Sequence, residues 1–203
     1  MMDRAGSALG WVTSRAPLRI QRGAIVLTAL LAVCAAARAQ TPEESLYAFY
    51  SWVLAHPSLG LPASSERTAL AALLSPTLIR LLESASATQA KCVESTPRGD
   101  KPLIVEGDLF VGNYEGATEI AYGTPRRDGD TVLVESDLAY VDQRFPKAHK
   151  HRAVAWKDRV EIRLVGKRWV VEDVRFSRDR TLIGTLEAYI AEGRRACAPA
   201  KHG

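Results

Sequence analysis

The spacing of apolar residues changes once along this chain, and this change restricts its possible folds more than any other feature. Before a polar loop at residues 97–101, apolar residues recur at the period of a helix with one buried face. Beyond the loop they alternate with polar residues, which is the period of a strand. We therefore expect an α+β domain in which N-terminal helices pack on an antiparallel sheet and a last helix ends the chain.

Turn and capping residues set the expected limits of these elements. Thr41 with Pro42 starts a helix that runs to about His56, because a capping hydroxyl followed by proline is typical of a helix N-terminus. Further helices start at Ser64 and at Ser75. The turns Asp128-Gly129 and Gly166-Lys167 predict two hairpins, and a final helix follows: strands over 117–126 and 131–141, strands over 154–164 and 168–176, and the helix over 181–193.

The second hairpin allows a prediction of strand register. If Val165 faces Arg168 across the Gly166-Lys167 turn, the larger apolar side chains share one face. The opposed pairs are then Leu164 with Trp169, Ile162 with Val171, and Asp158 with Arg175. This register places the carboxylate of Asp158 opposite an arginine, so we expect a cross-strand ion pair there.

The N-terminal segment has the pattern of a secretory signal peptide. Residues 1–22 carry four arginines and one acid, residues 23–37 carry no charge, and Ala37 and Ala39 are the small residues that a signal peptidase requires. We expect cleavage between Ala39 and Gln40, a signal peptide over 1–39 and a single domain over 40–203 in the periplasm of a Gram-negative bacterium. An alternative is a lipid on Cys34, which would anchor the protein to a membrane.

The charges of the remaining chain argue against nucleic acid as a partner. Of 27 basic and 23 acidic residues, five and one lie before Gln40, so 22 of each sign follow it. A neutral exported domain lacks the basic surface that nucleic acid binding requires.

Two cysteines, Cys92 and Cys197, follow the expected cleavage position. In an oxidising compartment an even pair predicts a disulfide. A reactive thiol is the alternative, and the spacing excludes a CxxC redox motif or a zinc ribbon.

Two groups of residues are candidate sites. Asp158 and Arg175, with Tyr140 and Asp173, form either a concave polar pocket for a ligand or an internal ion pair with a structural role. The loop between the hairpins carries Lys147, His149, Lys150, His151 and Arg152. It is either a solvated tip or a surface for an acidic partner. Its two histidines are too few for a metal site, and we expect no metal and no cofactor.

A stretch of three acids and three glycines is a weaker candidate: Glu106, Asp108 and Glu115 with Gly107, Gly112 and Gly116. Paired carboxylates serve glycoside hydrolysis, but capping and turn roles explain these residues better.

Six segments in a fixed order carry a resemblance to a known family: PEESLYAFYSWVLAHPS (42–58), LSPTLIRLLE (74–83), EGDLFVGNYEGA (106–117), AYVD (139–142), WKD (156–158) and WVVEDVRF (169–176). Together they resemble a family of secreted bacterial domains of unknown function. The resemblance implies an exported domain with a curved sheet, in the cone-shaped fold of nuclear transport factor 2 and ketosteroid isomerase. It implies no reaction, since fold alone does not decide function.

These observations favour a non-enzymatic binding module over an enzyme. The expected ligand is an envelope protein, as for an inhibitor or immunity factor, or a small molecule held in the cone. The alternative is an isomerase- or hydratase-like enzyme that uses a buried carboxylate near Asp158.

Overall fold

Four helices lie in the described part of the chain, and each begins at or directly after the residue where the sequence predicts a start. They are α1 (Pro42–Ala55), α2 (Ser64–Leu70), α3 (Pro76–Ser95) and α4 (Leu182–Ala196). Thr41 and Glu44 form a capping box at the start of α1. The hydroxyls of Ser75 and Thr181 accept first-turn N–H groups of α3 and α4. These bonds satisfy helix donors that would otherwise lack a partner.

The computed structural model describes residues 40–57, 59–176 and 179–197, which belong to one compact unit. The expected signal peptide over 1–39, including Cys34 and the cleavage position at Ala39, lies outside the described residues. No helix within the described ranges has the length and apolar character that crossing a membrane requires.

The second half of the chain forms an open antiparallel sheet, which confirms the α+β class. Its strands are β1 (Glu119–Tyr122), β2 (Arg126–Asp128), β3 (Thr131–Val141), β4 (Ala153–Val165) and β5 (Arg168–Arg175). One side of β3 pairs with β1 and then β2, and its other side pairs with β4, which in turn pairs with β5. The single strand expected over 117–126 is instead two strands separated by residues 123–125, where Pro125 has no N–H to give to a ladder.

The helices cover one face of the sheet, which we call the inner face. Val134, Val160 and Val174 lie there on adjacent strands, and all three are fully buried. Helix α1 contacts β4 and β5, and the Ser45 hydroxyl donates to the Trp169 carbonyl at 2.7 Å. The outer edge of β5 also has a partner, because the Val171 amide and carbonyl bond to Leu73 and Ser75 at 2.9 Å each.

Cys92 and Cys197 form a disulfide with a Cα–Cα distance of 4.9 Å, as predicted. Cys92 lies near the end of α3 and Cys197 directly follows α4, so the bond joins the ends of two helices that contact each other. A disulfide at this position is compatible with an oxidising, exported compartment.

The register predicted for the second hairpin is correct near its turn and wrong beyond it. Leu164 faces Trp169 and Ile162 faces Val171, but Glu161 faces Asp173 and Arg159 faces Arg175. The cause is a β-bulge at Glu172, the residue of β5 for which β4 has no counterpart. The bulge turns Val174 to the inner face opposite Val160 and moves Arg175 one position away from Asp158.

Candidate functional site

Asp158 is the one acid on the inner face of β4. Side chains alternate along a strand, so it stands in a row between Trp156 and Val160. It is only 1 % exposed. A carboxylate is expensive to bury without partners, so its surroundings decide what it can do.

One oxygen of Asp158 is well satisfied and the other is not. Oδ2 accepts the backbone N–H of Gly112 at 2.8 Å and the indole N–H of Trp156 at 3.1 Å. Oδ1 is buried and has no hydrogen-bond partner in the described part of the chain. The approach of Gly112 depends on its missing side chain, because a Cβ there would lie 2.5 Å from Oδ1.

Two hydroxyl groups near Asp158 are also buried without a hydrogen-bond partner among the described residues. Ser136 faces Asp158 directly across β3 and β4, and Tyr50 reaches the inner face from α1. The Ser136 hydroxyl lies near the Tyr50 hydroxyl, although their geometry is not that of a hydrogen bond. Tyr122 of β1 faces Ser136 from the other side, with its ring centre 6.0 Å from that of Tyr50. Polar groups therefore form a row across three strands.

Burial dominates the acid–base properties of this row. It raises the pKa of Asp158 above the ordinary value of an aspartate, and the hydrogen bonds from Gly112 and Trp156 oppose that effect only in part. Burial also raises the pKa of Tyr50, and the nearby Asp158 carboxylate raises it further. Both effects favour the protonated, uncharged forms of these groups.

A cleft of about 340 Å³ reaches Asp158 from the edge of the sheet. We call it the Asp158 cleft. Because β5 ends opposite Arg159, no strand of the described residues lies beside the preceding residues of β4 on that side. Side chains from both faces of β4 therefore border the cleft, whose lining residues are Glu135, Lys157, Asp158, Arg159, Arg175, Phe176, Asp179 and Thr181.

Three described residues that follow β5 also line the cleft: Phe176, Asp179 and Thr181. The Phe176 amide donates to the Arg180 carbonyl at 2.7 Å, and the Arg180 guanidinium lies 5.2 Å from the centre of the Phe176 ring. Asp179 has a positive φ of 58°, a conformation that aspartate tolerates better than most residues. Asp179 thus adds an acidic residue to the lining of the cleft.

The expected ion pair between Asp158 and Arg175 is wrong, because the bulge shifts the register between them. Arg175 still borders the same cleft as Asp158, but its guanidinium lies 3.6 Å from the carboxylate of Glu161. Asp158 is instead held by Gly112 and Trp156, as described above.

The other two residues of the predicted pocket do not line the cleft. Asp173 is buried and accepts the N–H of Ile183 at 3.0 Å, which helps to cap α4. Tyr140 is partly buried on β3 opposite Val154, towards the end of that strand. Asp173 thus has a structural role.

The basic loop after β3 is tied together by its own residues. Arg152 donates to the Gln143 side chain at 2.8 Å and to the Phe145 carbonyl, and the His149 ring stacks on Phe145 at 4.4 Å. Lys147, Lys150 and His151 remain exposed. No group of three or more potential metal ligands occurs within the described residues, which include this loop.

Sequence reasoning missed the groups that surround Asp158. One signal was present, since Ser136 interrupts the apolar row of β3 just as Asp158 interrupts that of β4. Gly112 belongs to the stretch of acids and glycines named above, but no signal connected it with Asp158, because it lies 46 residues away in a segment without regular periodicity.

Comparison with known proteins adds no relative. The sequence matches no protein-family model, and neither a curated protein nor a solved structure is significantly similar to the chain. Any function must therefore be argued from the chain's own residues.

Proposed function

We propose that this chain is an exported binding domain that holds a small polar ligand in the Asp158 cleft. The observation that carries the proposal is the buried Oδ1 of Asp158, which has no partner among the described residues and belongs to a residue that lines the cleft. A buried acceptor left unpaired costs about 1–3 kcal/mol, and a donor on a ligand would recover part of that cost. The cleft volume of about 340 Å³ suits a small molecule.

The ligand should carry a hydroxyl or ammonium donor, since Asp158 accepts hydrogen bonds. The rest of the lining carries both signs of charge. Its basic residues are Lys157, Arg159 and Arg175, and its acidic residues are Glu135 and Asp179. Such a lining favours a polar ligand over an apolar one.

The substitution Asp158→Asn should weaken ligand binding at least tenfold while the fold is retained. The asparagine carbonyl can accept from Gly112 and Trp156 as Oδ2 does now. Its NH₂ group, however, would place a donor where the ligand's donor needs an acceptor. The measurement is titration of the protein with ethanolamine, followed through amide chemical shifts in NMR spectra.

The matched control is Asp100→Asn, which removes an exposed carboxylate from the loop before the sheet. It should bind ethanolamine as the wild type does. Equal affinities for wild type and Asp158→Asn, with both folded, would refute the proposal.

A second candidate function is enzymatic, with Asp158 as a general base. It is favoured by the raised pKa of Asp158, because a base works best when its pKa is near the operating pH. Analysis of bound compounds by mass spectrometry after incubation separates the two. A binding domain returns its ligand unchanged, whereas an enzyme returns a product.

We also propose that the fold is the cone shape of the nuclear transport factor 2 class. The order of elements supports this, since helices precede an antiparallel sheet whose inner face they cover, and α4 ends the described chain.

Export to the periplasm is supported by the disulfide and by the pattern of residues 1–39. We expect mass spectrometry of protein recovered from the periplasm to find a chain that begins at Gln40. A chain that keeps residues 1–39, or one that begins at a lipid-modified Cys34, would contradict this expectation.

A further inference from the structure

We call the side of the sheet opposite the inner face the outer face. Beside the Asp158 cleft, its acidic residues form ion pairs with some of its basic residues but not with all. Lys157 forms ion pairs with two acids of β3, at 2.9 Å to Glu135 and 3.0 Å to Asp137. Glu135 faces Arg159 across the strands, but its carboxylate is held by Lys157 instead. The acids of β3 therefore leave Arg159 without a partner.

The acids of β4 and β5 are also engaged elsewhere. Glu161 lies between two arginines, at 3.8 Å from Arg163 and 3.6 Å from Arg175. Glu172 lies 4.0 Å from Arg163. Arg159 consequently forms no ion pair with any described residue, and Arg175 shares its single acid with another cation.

Arg159 and Arg175 face each other across β4 and β5. Like charges in directly opposed positions of an antiparallel pair destabilise a sheet, because their side chains start only about 5 Å apart. Both arginines are exposed, and both line the Asp158 cleft. An anion between them would remove the repulsion, and guanidinium groups bind carboxylate and phosphoryl oxygens in two-pronged geometry.

We propose that Arg159 and Arg175 hold an oxyanion, either a carboxylate or a phosphoryl group, of the same ligand whose donor meets Asp158. This inference rests on the proposed function and names the ligand class: a small organic acid or phosphate ester that also carries a hydroxyl or ammonium group. We call Arg159 and Arg175 together the clamp. Lys157 contributes little to the clamp, because two acids already neutralise the Lys157 ammonium group.

Three small amines test the clamp: ethanolamine carries donors and no anion, β-alanine carries a carboxylate in place of the hydroxyl, and phosphoethanolamine carries a phosphoryl group on it. The wild type should bind at least one of the two anionic probes about tenfold more tightly than ethanolamine. The anionic probe that binds more tightly shows whether the clamp prefers a carboxylate or a phosphoryl group. The measurement is the amide chemical-shift titration described above.

Arg159→Gln should abolish this tenfold advantage of the anionic probe over ethanolamine, and Arg175→Gln should act in the same direction. The matched control is Arg168→Gln, which removes an exposed arginine at the other end of β5, opposite Val165. The control should keep the advantage. Equal losses in Arg159→Gln and Arg168→Gln would show only a general effect of charge and would overturn the clamp.

The clamp and the proposed function fail in different ways. If Asp158→Asn leaves all affinities unchanged while Arg159→Gln weakens the anionic probes, the clamp stands and the role of Asp158 is wrong. If the anionic probes bind no more tightly than ethanolamine, or do not bind, the clamp is wrong.

Discussion

Replacing both cysteines by alanine is expected to lower the free energy of unfolding by about 4–5 kcal/mol. The bond closes a loop of 105 residues, and a loop of that size restricts the unfolded chain strongly in the chain-entropy model. This loss is comparable with the whole stability of many domains, so the variant should be partly unfolded at body temperature. Urea unfolding of wild type and of Cys92→Ala/Cys197→Ala measures the difference.

The reductant provides the control for this experiment. Reducing the wild type should lower its stability to nearly that of the double variant, whereas the double variant should not respond to reductant. A loss below about 1 kcal/mol would contradict the entropic argument and would mean that the unfolded chain keeps the two helix ends together.

The loss should concentrate at the end of α4. The start of this helix has other anchors, since Thr181 caps it at 3.0 Å and Asp173 accepts the Ile183 amide. Cys197 directly follows its last turn, so the disulfide holds that end of the helix. Hydrogen exchange of the last-turn amides should therefore accelerate most in the double variant.

Local chemistry made most of the elements predictable. The caps at Thr41, Ser75 and Thr181 depend on residues within one turn, so the sequence contains all the information that they need. The bounds of β3 agree with the prediction because its alternation runs unbroken from turn to loop. The disulfide was predictable because only two cysteines remained to pair.

The bulge at Glu172 was missed, although a signal for it was present. In β5 the apolar inner positions are Trp169 and Val171, and the next is Val174, three residues on instead of two. A step of three in a two-residue period marks an inserted residue. Assuming an unbroken period placed Arg175 opposite Asp158 and so created an ion pair that the fold does not contain.

The surroundings of Asp158 were not predictable, because they depend on contacts between distant segments. The loop that brings Gly112 to Asp158 has no period, yet Leu109, Phe110 and Val111 are buried in succession. Phe110 packs edge-on against Trp52 of α1 at 5.7 Å. Tertiary packing, and not local preference, places this loop.

Asp108 accepts a hydrogen bond within this loop, but its burial disfavours the charged carboxylate. Replacing Asp108 by asparagine should therefore stabilise the protein at neutral pH. Oδ1 of Asp108 accepts the Phe110 amide at 2.8 Å, while its own amide donates to the Tyr114 carbonyl at 2.9 Å. Burial raises the pKa of Asp108 from 3.8 to about 6, and the nearby Asp158 carboxylate adds to the effect. The folded protein thus binds a proton here more tightly than the unfolded chain does.

The sign of the pH dependence follows from linkage. Because the folded pKa is the higher one, the unfolding free energy should fall as pH rises from about 4 to about 6, and it should stay low above that range. Asp158 acts in the same direction, since burial raises its pKa too. Asp142 has a pKa lowered to about 2 by Arg144, so its contribution falls below this range.

Asp108→Asn should therefore raise the unfolding free energy at neutral pH by about 1–2 kcal/mol, since the full difference of about 3 kcal/mol is reduced by partial exposure. The amide oxygen can still accept from Phe110, so the loop that carries Gly112 should keep its shape. Urea unfolding of wild type and variant between about pH 4 and pH 7 measures the effect. The gain should vanish towards pH 4, and Asp100→Asn, an exposed control, should show none. Parallel profiles for wild type and Asp108→Asn would refute the account, because they would mean that Asp108 is ionised equally in the folded and unfolded chains.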